Sequence, residues 1–404
     1  FMNVRQRIRQ YFGEISTDCL AVCIYIMFLP GTIVETPVGS LLKAVTIPVI
    51  LWLFYKLFFG KNKPIRLNAV QAVFVIYTLY SVWQLLTLRT EEAQTITKDM
   101  ALSCAAMLLI SMRVYNSTEQ DLMEKAWIAA GVISLYFGLF SSQEVFGEGR
   151  RAVYILGYQE DPNQFCAYFI MPVMIYLKKI LNRSKLMPLY LALLLLTMYE
   201  VLQTGSRGGL IGILAGICVF VLLGIKSLKG KIALALAGLL CAAFVVKVVF
   251  PLLPEEVQER YSVERVAEDK GSGRFEIWSY LVEYSTETPE RMMLGEGISS
   301  TMDTLENSGL GLSARWAHNQ IIQVFADQGL VGLGLFGLFA ALCFFRNIRK
   351  KPEIACAFAA VMALSFSLTF YVFKPYINIM IMCAMTFEND PKNEIESKLE
   401  RRAV

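Results

Sequence analysis

The chain contains a single histidine, His318, at the start of an apolar segment. A neutral imidazole is the side chain best suited to take a proton from a hydroxyl group near neutral pH, so His318 is a candidate general base. A lone histidine is more often a hydrogen-bonded structural residue, and that interpretation stays open. Asn319 and Gln320 follow it directly, and for Gln323 and Asp327 we favour polar contacts between helices.

A second candidate for chemistry is Arg207, which lies in a short polar turn, residues 203–209, between two apolar segments. Burying a guanidinium in hydrocarbon without a partner costs several kcal/mol. Its forked N–H donors match phosphate oxygens, and the neighbouring glycines would let backbone amides approach a ligand. The alternative is an arginine that extends to the lipid headgroups. We interpret Arg207, with Ser206 beside it, as an anion-binding residue.

Polar residues also precede another apolar segment, at residues 161–164. Asp161 is expected to cap a helix, with Pro162 at its first position. Capping does not exclude a ligand role for Asn163 or Gln164.

These residues must be positioned by a chain that is more apolar than a soluble protein. Of its 404 residues, 55% are hydrophobic and 18% are charged, against roughly 25% charged in soluble proteins. The net charge is only +4 and no dense basic block is present, which argues against a nucleic-acid partner. The nine cysteines lie in or beside apolar segments without a CxxC pair, so we interpret them as small hydrophobic residues. The composition predicts a polytopic membrane protein.

Apolar windows of roughly helix-spanning length recur along the chain and predict an all-α membrane protein with about twelve transmembrane helices. The windows lie near residues 17–34, 38–59, 68–88, 97–113, 122–142, 163–179, 187–202, 208–225, 231–252, 319–345, 354–372 and 374–388. If alternate loops are assigned to the cytoplasm, that side receives 24 of the 38 Lys and Arg residues and the outer side 14. Both termini are therefore expected in the cytoplasm, and the first 16 residues are too polar for a cleavable signal peptide.

One large polar segment, residues 253–316, carries 13 acidic and 6 basic side chains and is predicted to form an external loop. It is expected to be mostly helical, with Ser272 as an N-cap and Phe275, Trp278 and Val282 on one face. This loop separates spans one to nine, in residues 1–252, from the last three spans and a cytoplasmic tail, in residues 317–404. The glycines of residues 329–337 are expected to permit close helix packing. The arginines assigned to the outer side include Arg150, Arg151, Arg207, Arg274, Arg291 and Arg315.

Four groups of short motifs, in this order, resemble the O-antigen ligase and O-antigen polymerase superfamily of bacterial membrane glycosyltransferases. The resemblance covers about residues 150–340, while the first five spans contribute only their layout. The motifs are Asp161-Pro162-Asn163; Ser206-Arg207-Gly208-Gly209; Gly273-Arg274-Phe275-Glu276-Ile277-Trp278 followed by Pro289 and Leu294-Gly295-Glu296-Gly297; and Ala317-His318-Asn319 followed by Gln328-Gly329-Leu330-Val331-Gly332.

The resemblance implies a fold of the GT-C type and a metal-independent, inverting transfer of a glycan from undecaprenyl diphosphate. The acceptor would be a hydroxyl group of a glycan or lipid-linked glycan at the outer face of the bacterial cytoplasmic membrane. Arg207 and Arg274 would hold the diphosphate, and His318 would activate the acceptor. Fixed guanidinium groups can stabilise a diphosphate leaving group by a few kcal/mol, so no metal or other cofactor is expected. Further substrate-binding candidates are Ser206, Asn163, Asn319 and Arg315.

Two alternatives remain at this point. Polymerase and ligase differ in their acceptor, and a surface-polysaccharide polymerase is slightly favoured because no segment can be assigned to a lipid A core. An alternative of a different class is a secondary transporter for an anionic substrate, which twelve spans and external arginines would suit. The chain shows no internal two-fold repeat and few ionisable residues near the middle of its spans, which argues against a transporter.

Overall fold

The protein is predominantly helical in a computed structural model. The structure describes residues 13–60, 64–86, 90–141, 145–146, 150–224, 227, 229–230, 232, 243, 245–262, 264–265, 273–309, 316–369 and 374–388. Its α-helices are α1 Thr17–Met27, α2 Leu41–Phe59, α3 Ala69–Gln84, α4 Glu91–Ser111, α5 Ser117–Phe140, α6 Pro162–Leu181, α7 Met187–Gln203, α8 Arg207–Gly224, α9 Glu255–Arg260, α10 Arg274–Thr286, α11 Pro289–Leu294, α12 Ser300–Glu306, α13 Gln320–Asn347, α14 Pro352–Leu364 and α15 Lys374–Ala384.

Short strands lie between some of these helices and form two-stranded pairs. The strands are β1 Glu35–Thr36, β2 Gly39–Ser40, β3 Val114–Tyr115, β4 Val145–Phe146, β5 Arg150–Arg151, β6 Val153–Ile155, β7 Tyr158–Glu160 and β8 Thr386–Phe387. The pairs β1–β2, β4–β5 and β6–β7 are antiparallel, whereas β3 and β8 are parallel and join distant parts of the chain. The β6–β7 hairpin leads directly into α6.

Five of the described helices, α2, α5, α6, α8 and α13, are long and apolar enough to cross a membrane. Shorter apolar helices are α1, α3, α7, α14 and residues 375–384 of α15. Large apolar side chains such as Leu51, Phe58 and Phe59 are exposed on the outside of the helices, as expected where lipid is the solvent. The prediction of a helical, multi-pass membrane protein is confirmed.

Eleven of the twelve predicted apolar windows overlap a described α-helix, including window 97–113, which overlaps α4. The remaining window, 231–252, lies mostly outside the described residues, and its described end forms a π-helical turn at Val245–Val249 and a 3₁₀ turn at Phe250–Leu252. The count of twelve membrane spans stays a prediction.

Helix α6 lies at the centre of the bundle and packs against α5, α7, α8 and α14. Helix α8 lies close to α14 through glycines spaced four residues apart. A Cβ atom on Gly212 would lie 3.0 Å from Cβ of Leu364, and one on Gly216 would lie 2.8 Å from Cβ of Ala360. Small residues at this spacing let two helices pack at short distance in a membrane. The contact fixes the start of α8, where Arg207 lies.

The predicted external loop contributes four described helices, α9 to α12, and its last three pack on α13. The backbone of residues 293–297 crosses α13 at a break in that helix, where Gly329 has a φ of 63°. A Cβ atom on Gly295 would lie 2.4 Å from the carbonyl of Asp327, and one on Gly329 would lie 2.4 Å from the carbonyl of Met293. Only glycine fits at both positions, because each has positive φ and no room for a side chain. These glycines belong to two of the recognised motifs.

Some details of the predicted loop are wrong. Helix α10 has Gly273, not Ser272, at its N-cap position. Phe275 and Val282 are exposed, while Ile277 and Leu281 form the buried face. The reason is that α10 packs against α12 and α13, so its buried side is set by those partners and not by its own apolar pattern.

The glycines of residues 329–337 were expected to pack closely, and only part of this holds. Gly329 provides the crossing with the loop. A Cβ atom on Gly334 or Gly337 would meet no atom within 4 Å, so these two do not serve close packing in the described structure.

Charged residues are paired at the end of the bundle opposite to α10–α12. Lys178 donates to Glu124 and Glu353, both at 2.6 Å. Arg113 donates to Asp18 at 2.7 Å and both side chains are buried. The loops that were assigned to the cytoplasm thus meet at one end of the bundle.

Candidate active site

The start of α6 forms the first part of the candidate site. Asp161 caps the helix by accepting from the backbone N–H groups of Asn163, at 2.8 Å, and Gln164, at 3.1 Å, and Pro162 occupies the first position. The predicted helix start is confirmed. Asn163 is buried, so its side chain lies under the surface of the site.

The turn before α8 is joined to this helix start by a side-chain hydrogen bond. Ser206 donates from Oγ to Oδ1 of Asn163 at 2.7 Å, and the same Oγ accepts from the N–H of Gly209 at 2.9 Å. A Cβ atom on Gly209 would lie 2.5 Å from Cβ of Cys166, so the glycine lets α8 begin directly against α6. Two segments separated by more than 40 residues in sequence therefore share one polar contact.

Arg207 is the first residue of α8 and contacts the predicted external loop. Its Nε and Nη2 atoms donate to the carbonyl oxygen of Arg260, at 3.1 and 2.7 Å. In return, Nε of Arg260 donates to the carbonyl oxygen of Gly205 at 2.8 Å. Tyr261 adds a hydrogen bond to the carbonyl of Leu202 at 3.3 Å. The end of α9 is thus held on the turn by reciprocal contacts of two arginines.

His318 lies on the connection into α13, next to charged groups from three other segments. It is half-buried, and its φ of 50° is unusual for a residue other than glycine. Burial lowers the pKa of the His318 imidazole below its ordinary value of 6.5. The positive charges of Arg274 and Arg150 act in the same direction, and the negative charge of Asp161 opposes them. The ring therefore favours its neutral form, which is the form that accepts a proton.

These contacts connect four sequence segments in one site. Asp161 acts electrostatically on His318 and caps the helix that holds Asn163, and Asn163 accepts from Ser206 beside Arg207. Arg274, at the first position of α10, joins the same group through its effect on His318. The residues brought together are those that the sequence suggested as separate candidates.

The other candidates are placed differently. Asn319 is the N-cap residue of α13, because its Oδ1 accepts from the N–H groups of Ile321 and Ile322 at 3.0 and 3.3 Å. Its oxygen is therefore used in capping, and its amide nitrogen is the group that could contact a substrate. Arg315 lies outside the described residues.

A buried carboxyl group precedes Asp161. Glu160 ends β7 and accepts a hydrogen bond from the hydroxyl of Tyr168 at 2.8 Å. Burial raises the pKa of Glu160 to about 7, with a small further contribution from Asp161. Its carboxyl group contacts Tyr168 of α6, and we do not assign it as a partner of His318.

Sequence reasoning missed two groups of residues at this site. Arg260 follows several glutamates in residues 255–259, and only the return of α9 to the turn at Gly205 reveals its contact. Trp278 and Gln323 both contact the backbone of Ala317, immediately before His318. The spacing of Gln323 from Ala317 on a helix start could have indicated the second contact.

Within the described part of the chain, no three His, Cys, Asp or Glu side chains are grouped so that they could hold a metal ion. The family described as O-antigen ligase matches residues 191–337, which include Ser206, Arg207, Arg274 and His318. No curated protein matches the chain. The match begins within α7 and ends at Gly337, within α13. It therefore covers the predicted external loop and the helices on both sides of it. The resemblance to the O-antigen ligase and O-antigen polymerase superfamily is confirmed by this match.

Proposed function

We propose that the protein is a bacterial membrane glycosyltransferase that transfers a glycan from undecaprenyl diphosphate to an acceptor hydroxyl group. The observations that carry the proposal are the hydrogen bonds of Ser206 with Asn163 and of Arg207 with α9, together with the electrostatic effect of Arg274 and Asp161 on His318. The family match supports the reaction class. A neutral imidazole beside fixed cations is the arrangement that such a transfer needs.

In the proposed reaction, the acceptor oxygen attacks the anomeric carbon of the lipid-linked sugar. His318 takes the proton of the acceptor hydroxyl, and the bond from the anomeric carbon to the diphosphate oxygen breaks. Undecaprenyl diphosphate leaves with the electron pair, and the configuration at the anomeric carbon is inverted. Neutral His318 is required at the start, and the lowered pKa keeps it neutral at physiological pH.

Arg207 and Arg274 would stabilise the negative charge that develops on the diphosphate. A phosphate oxygen is a stronger acceptor for a guanidinium than a neutral carbonyl, because the hydrogen bond is then between opposite charges. Arg207 would thus exchange its contact with the Arg260 carbonyl for a phosphate oxygen when the donor binds. Ser206, Asn163, Asn319 and Arg315 are proposed to contact the sugar or the diphosphate. We propose that no metal is needed.

The proposed orientation has both termini in the cytoplasm, twelve spans, and residues 253–316 at the outer face of the cytoplasmic membrane, between spans nine and ten. The distribution of Lys and Arg supports it. Ser279 on α10 is exposed and suits a labelling test, whereas Ser299 is buried. In a variant without native cysteines, Ser279→Cys should react with an impermeant maleimide in intact cells. Reaction only after lysis would reverse the orientation.

The acceptor is proposed to be a second lipid-linked glycan, as in a surface-polysaccharide polymerase, and a ligase acceptor is the close alternative. Both reactions use the same kind of donor and release undecaprenyl diphosphate. Incubating the purified protein with donor and either a lipid-linked glycan or a lipid A core acceptor would separate them, because only the true acceptor should be lengthened.

Release of undecaprenyl diphosphate is the experiment that tests the proposed function. Purified protein in lipid nanodiscs should release it from a lipid-linked glycan in the presence of acceptor, and a chelator should leave the rate unchanged. A secondary transporter would move an anionic glycan without breaking the bond to the diphosphate. Absence of release with both acceptors, or a strict requirement for a divalent metal, would contradict the proposal.

A further inference from the structure

Both backbone polar groups of Ala317, the residue before His318, are held by side chains. The N–H of Ala317 donates to Oε1 of Gln323 at 2.8 Å, and its carbonyl oxygen accepts from Nε1 of Trp278 at 2.8 Å. Ala317 itself is fully buried. The peptide plane that enters His318 is therefore fixed from α13 on one side and from α10 on the other.

The backbone conformation of His318 explains why the contacts on Ala317 matter. Its φ of 50° is one that residues with a side chain seldom adopt. Such a backbone persists only where the surroundings hold it, and it occurs most often at functional sites. The two contacts on Ala317 are neighbours of that strained residue and limit how its backbone can relax.

The orientation of the Gln323 amide is determined by a third residue. Its Nε2 donates to Oδ2 of Asp327 at 2.9 Å, and the same Oδ2 accepts from the backbone N–H of Ser299. Oε1 must therefore face Ala317. Gln323 and Asp327 are both fully buried, so the hydrogen bonds of the amide, including a third that Oε1 accepts from the hydroxyl of Thr369 at 3.4 Å, form away from water.

Asp327 is in turn held by the loop. It accepts from the backbone N–H groups of Ser299 and Thr301, each at 2.9 Å, and from the hydroxyls of Ser300 and Thr301. These residues start α12. A continuous path of hydrogen bonds thus runs from the start of α12 through Asp327 and Gln323 to the backbone beside His318.

We propose that Gln323 and Trp278 are positioning residues that hold His318, through Ala317, in the orientation in which its ring accepts the proton of the acceptor. The inference rests on the proposed function of His318 as the base. Neither residue needs to touch the substrate, because both act on the backbone. The base is in place only when α10 and α12 are docked on α13, which links the external loop to the chemical step.

The test is the variant Gln323→Met, which keeps the approximate volume of the side chain and removes the hydrogen bonds of the amide to Ala317, Asp327 and Thr369. A small displacement of a catalytic group can cost about 10²-fold in rate, so kcat is expected to fall roughly 10- to 100-fold. The KM for the lipid-linked donor should stay within about two-fold, because Arg207 and Arg274 are unchanged.

The pH profile separates this role from a loss of stability. In the wild type, burial and the charges of Arg274 and Arg150 lower the pKa of His318, against the effect of Asp161. A displaced ring that is more exposed to water would titrate closer to 6.5. The pH below which Gln323→Met loses activity should therefore be higher than in the wild type.

Gln71→Met is the matched control. Gln71 is an equally buried amide at the opposite end of the bundle. Its Nε2 donates to Ser111 and its Oε1 accepts from the N–H of Asn68, both at 2.7 Å. Its replacement should lower stability but leave kcat and the pH profile of folded protein unchanged. If Gln323→Met does not fold, Trp278→Phe removes the indole N–H while keeping an aromatic ring, and should lower kcat a few-fold with the same change in pH profile.

A double variant completes the test. In the His318→Ala background, Gln323→Met should cause little further loss, because its effect passes through the missing imidazole. An equal fold-loss in both backgrounds, or a wild-type kcat for Gln323→Met, would refute the positioning role. Failure of the proposed function would look different: the wild type would release no undecaprenyl diphosphate, or His318→Ala would transfer normally.

Discussion

Charged residues make different contacts at two places in the described structure, the cluster around Lys178 and the turn before α8. At the end that holds the predicted cytoplasmic loops, cations meet carboxylates, as Lys178 does with Glu124 and Glu353 at 2.6 Å. At the turn before α8, Arg207 and Arg260 donate to carbonyl oxygens. The loop end also contains ion pairs, such as Arg151 with Glu200 and Arg291 with Glu296. A carboxylate cancels the charge of its partner, whereas a carbonyl oxygen accepts N–H groups without carrying a net charge.

This difference suggests a division of labour. Ion pairs away from water are costly to break, so the charges at the first end are committed to holding helices α5, α6 and α14 together. The contacts of Arg207 and Arg260 with carbonyl oxygens join the turn before α8 to the end of α9. Substitutions at the two ends should therefore affect different properties, and the following predictions test that separation.

The largest effect on transfer is expected for His318→Ala. General-base assistance is typically worth about 10²- to 10⁴-fold, so the transfer rate should fall by that order while the protein still folds and binds the donor. Measuring donor binding and transfer separately on the purified variant checks this. Transfer at the wild-type rate would return His318 to a structural role and remove the chemical distinction between the two ends.

A smaller loss is expected for Arg207→Lys and Arg274→Lys. The ammonium group keeps the charge but cannot make the planar two-point contact of a guanidinium with phosphate oxygens, so transfer should fall about 10- to 100-fold. Arg291→Lys is the matched control, because Arg291 contacts Glu287 and Glu296 on the loop and should tolerate the change. Equal behaviour of all three variants in transfer assays would argue against diphosphate binding by Arg207 and Arg274.

The smallest effect on transfer is expected at the opposite end. Lys178→Met removes the cation paired with Glu353, while Glu124 keeps its ion pair with Lys179 at 2.7 Å. The loss of this mostly buried partner should lower the free energy of unfolding by roughly 3 kcal/mol. The transfer rate of the folded fraction should remain unchanged. Thermal unfolding in detergent, together with transfer per folded molecule, measures both. A large loss of specific activity with unchanged stability would erase the proposed difference between the ends.

Local sequence patterns predicted much of the site but not its contacts. The start of α6 could be predicted because capping by Asp161 and Pro162 depends on adjacent residues. The cap and buried face of α10 could not, because packing against α12 and α13 selected Ile277 and Leu281.

The same limit applies to the residues around His318. Asp327 was predicted to make polar contacts, and it does so with the loop helix α12. The contact of Arg260 with Gly205 spans 55 residues of sequence and depends on how the loop returns to the bundle. A single sequence carries little information about which distant residues come into contact, whereas the motifs indicated which segments take part in the site.

The pH dependence of kcat/KM for glycan transfer tests the central claim most directly. His318 acts as a neutral base, so activity is present above its pKa and is lost as the pH falls through it. Burial, with Arg274 and Arg150, lowers that pKa below 6.5 despite the opposing charge of Asp161. We predict that kcat/KM of the wild type stays level from pH 8 down to about 6.5 and falls only at lower pH. A rate that does not fall as the pH is lowered below 6.5, or one that falls with a pKa above 6.5, would contradict the assignment of His318 as the base.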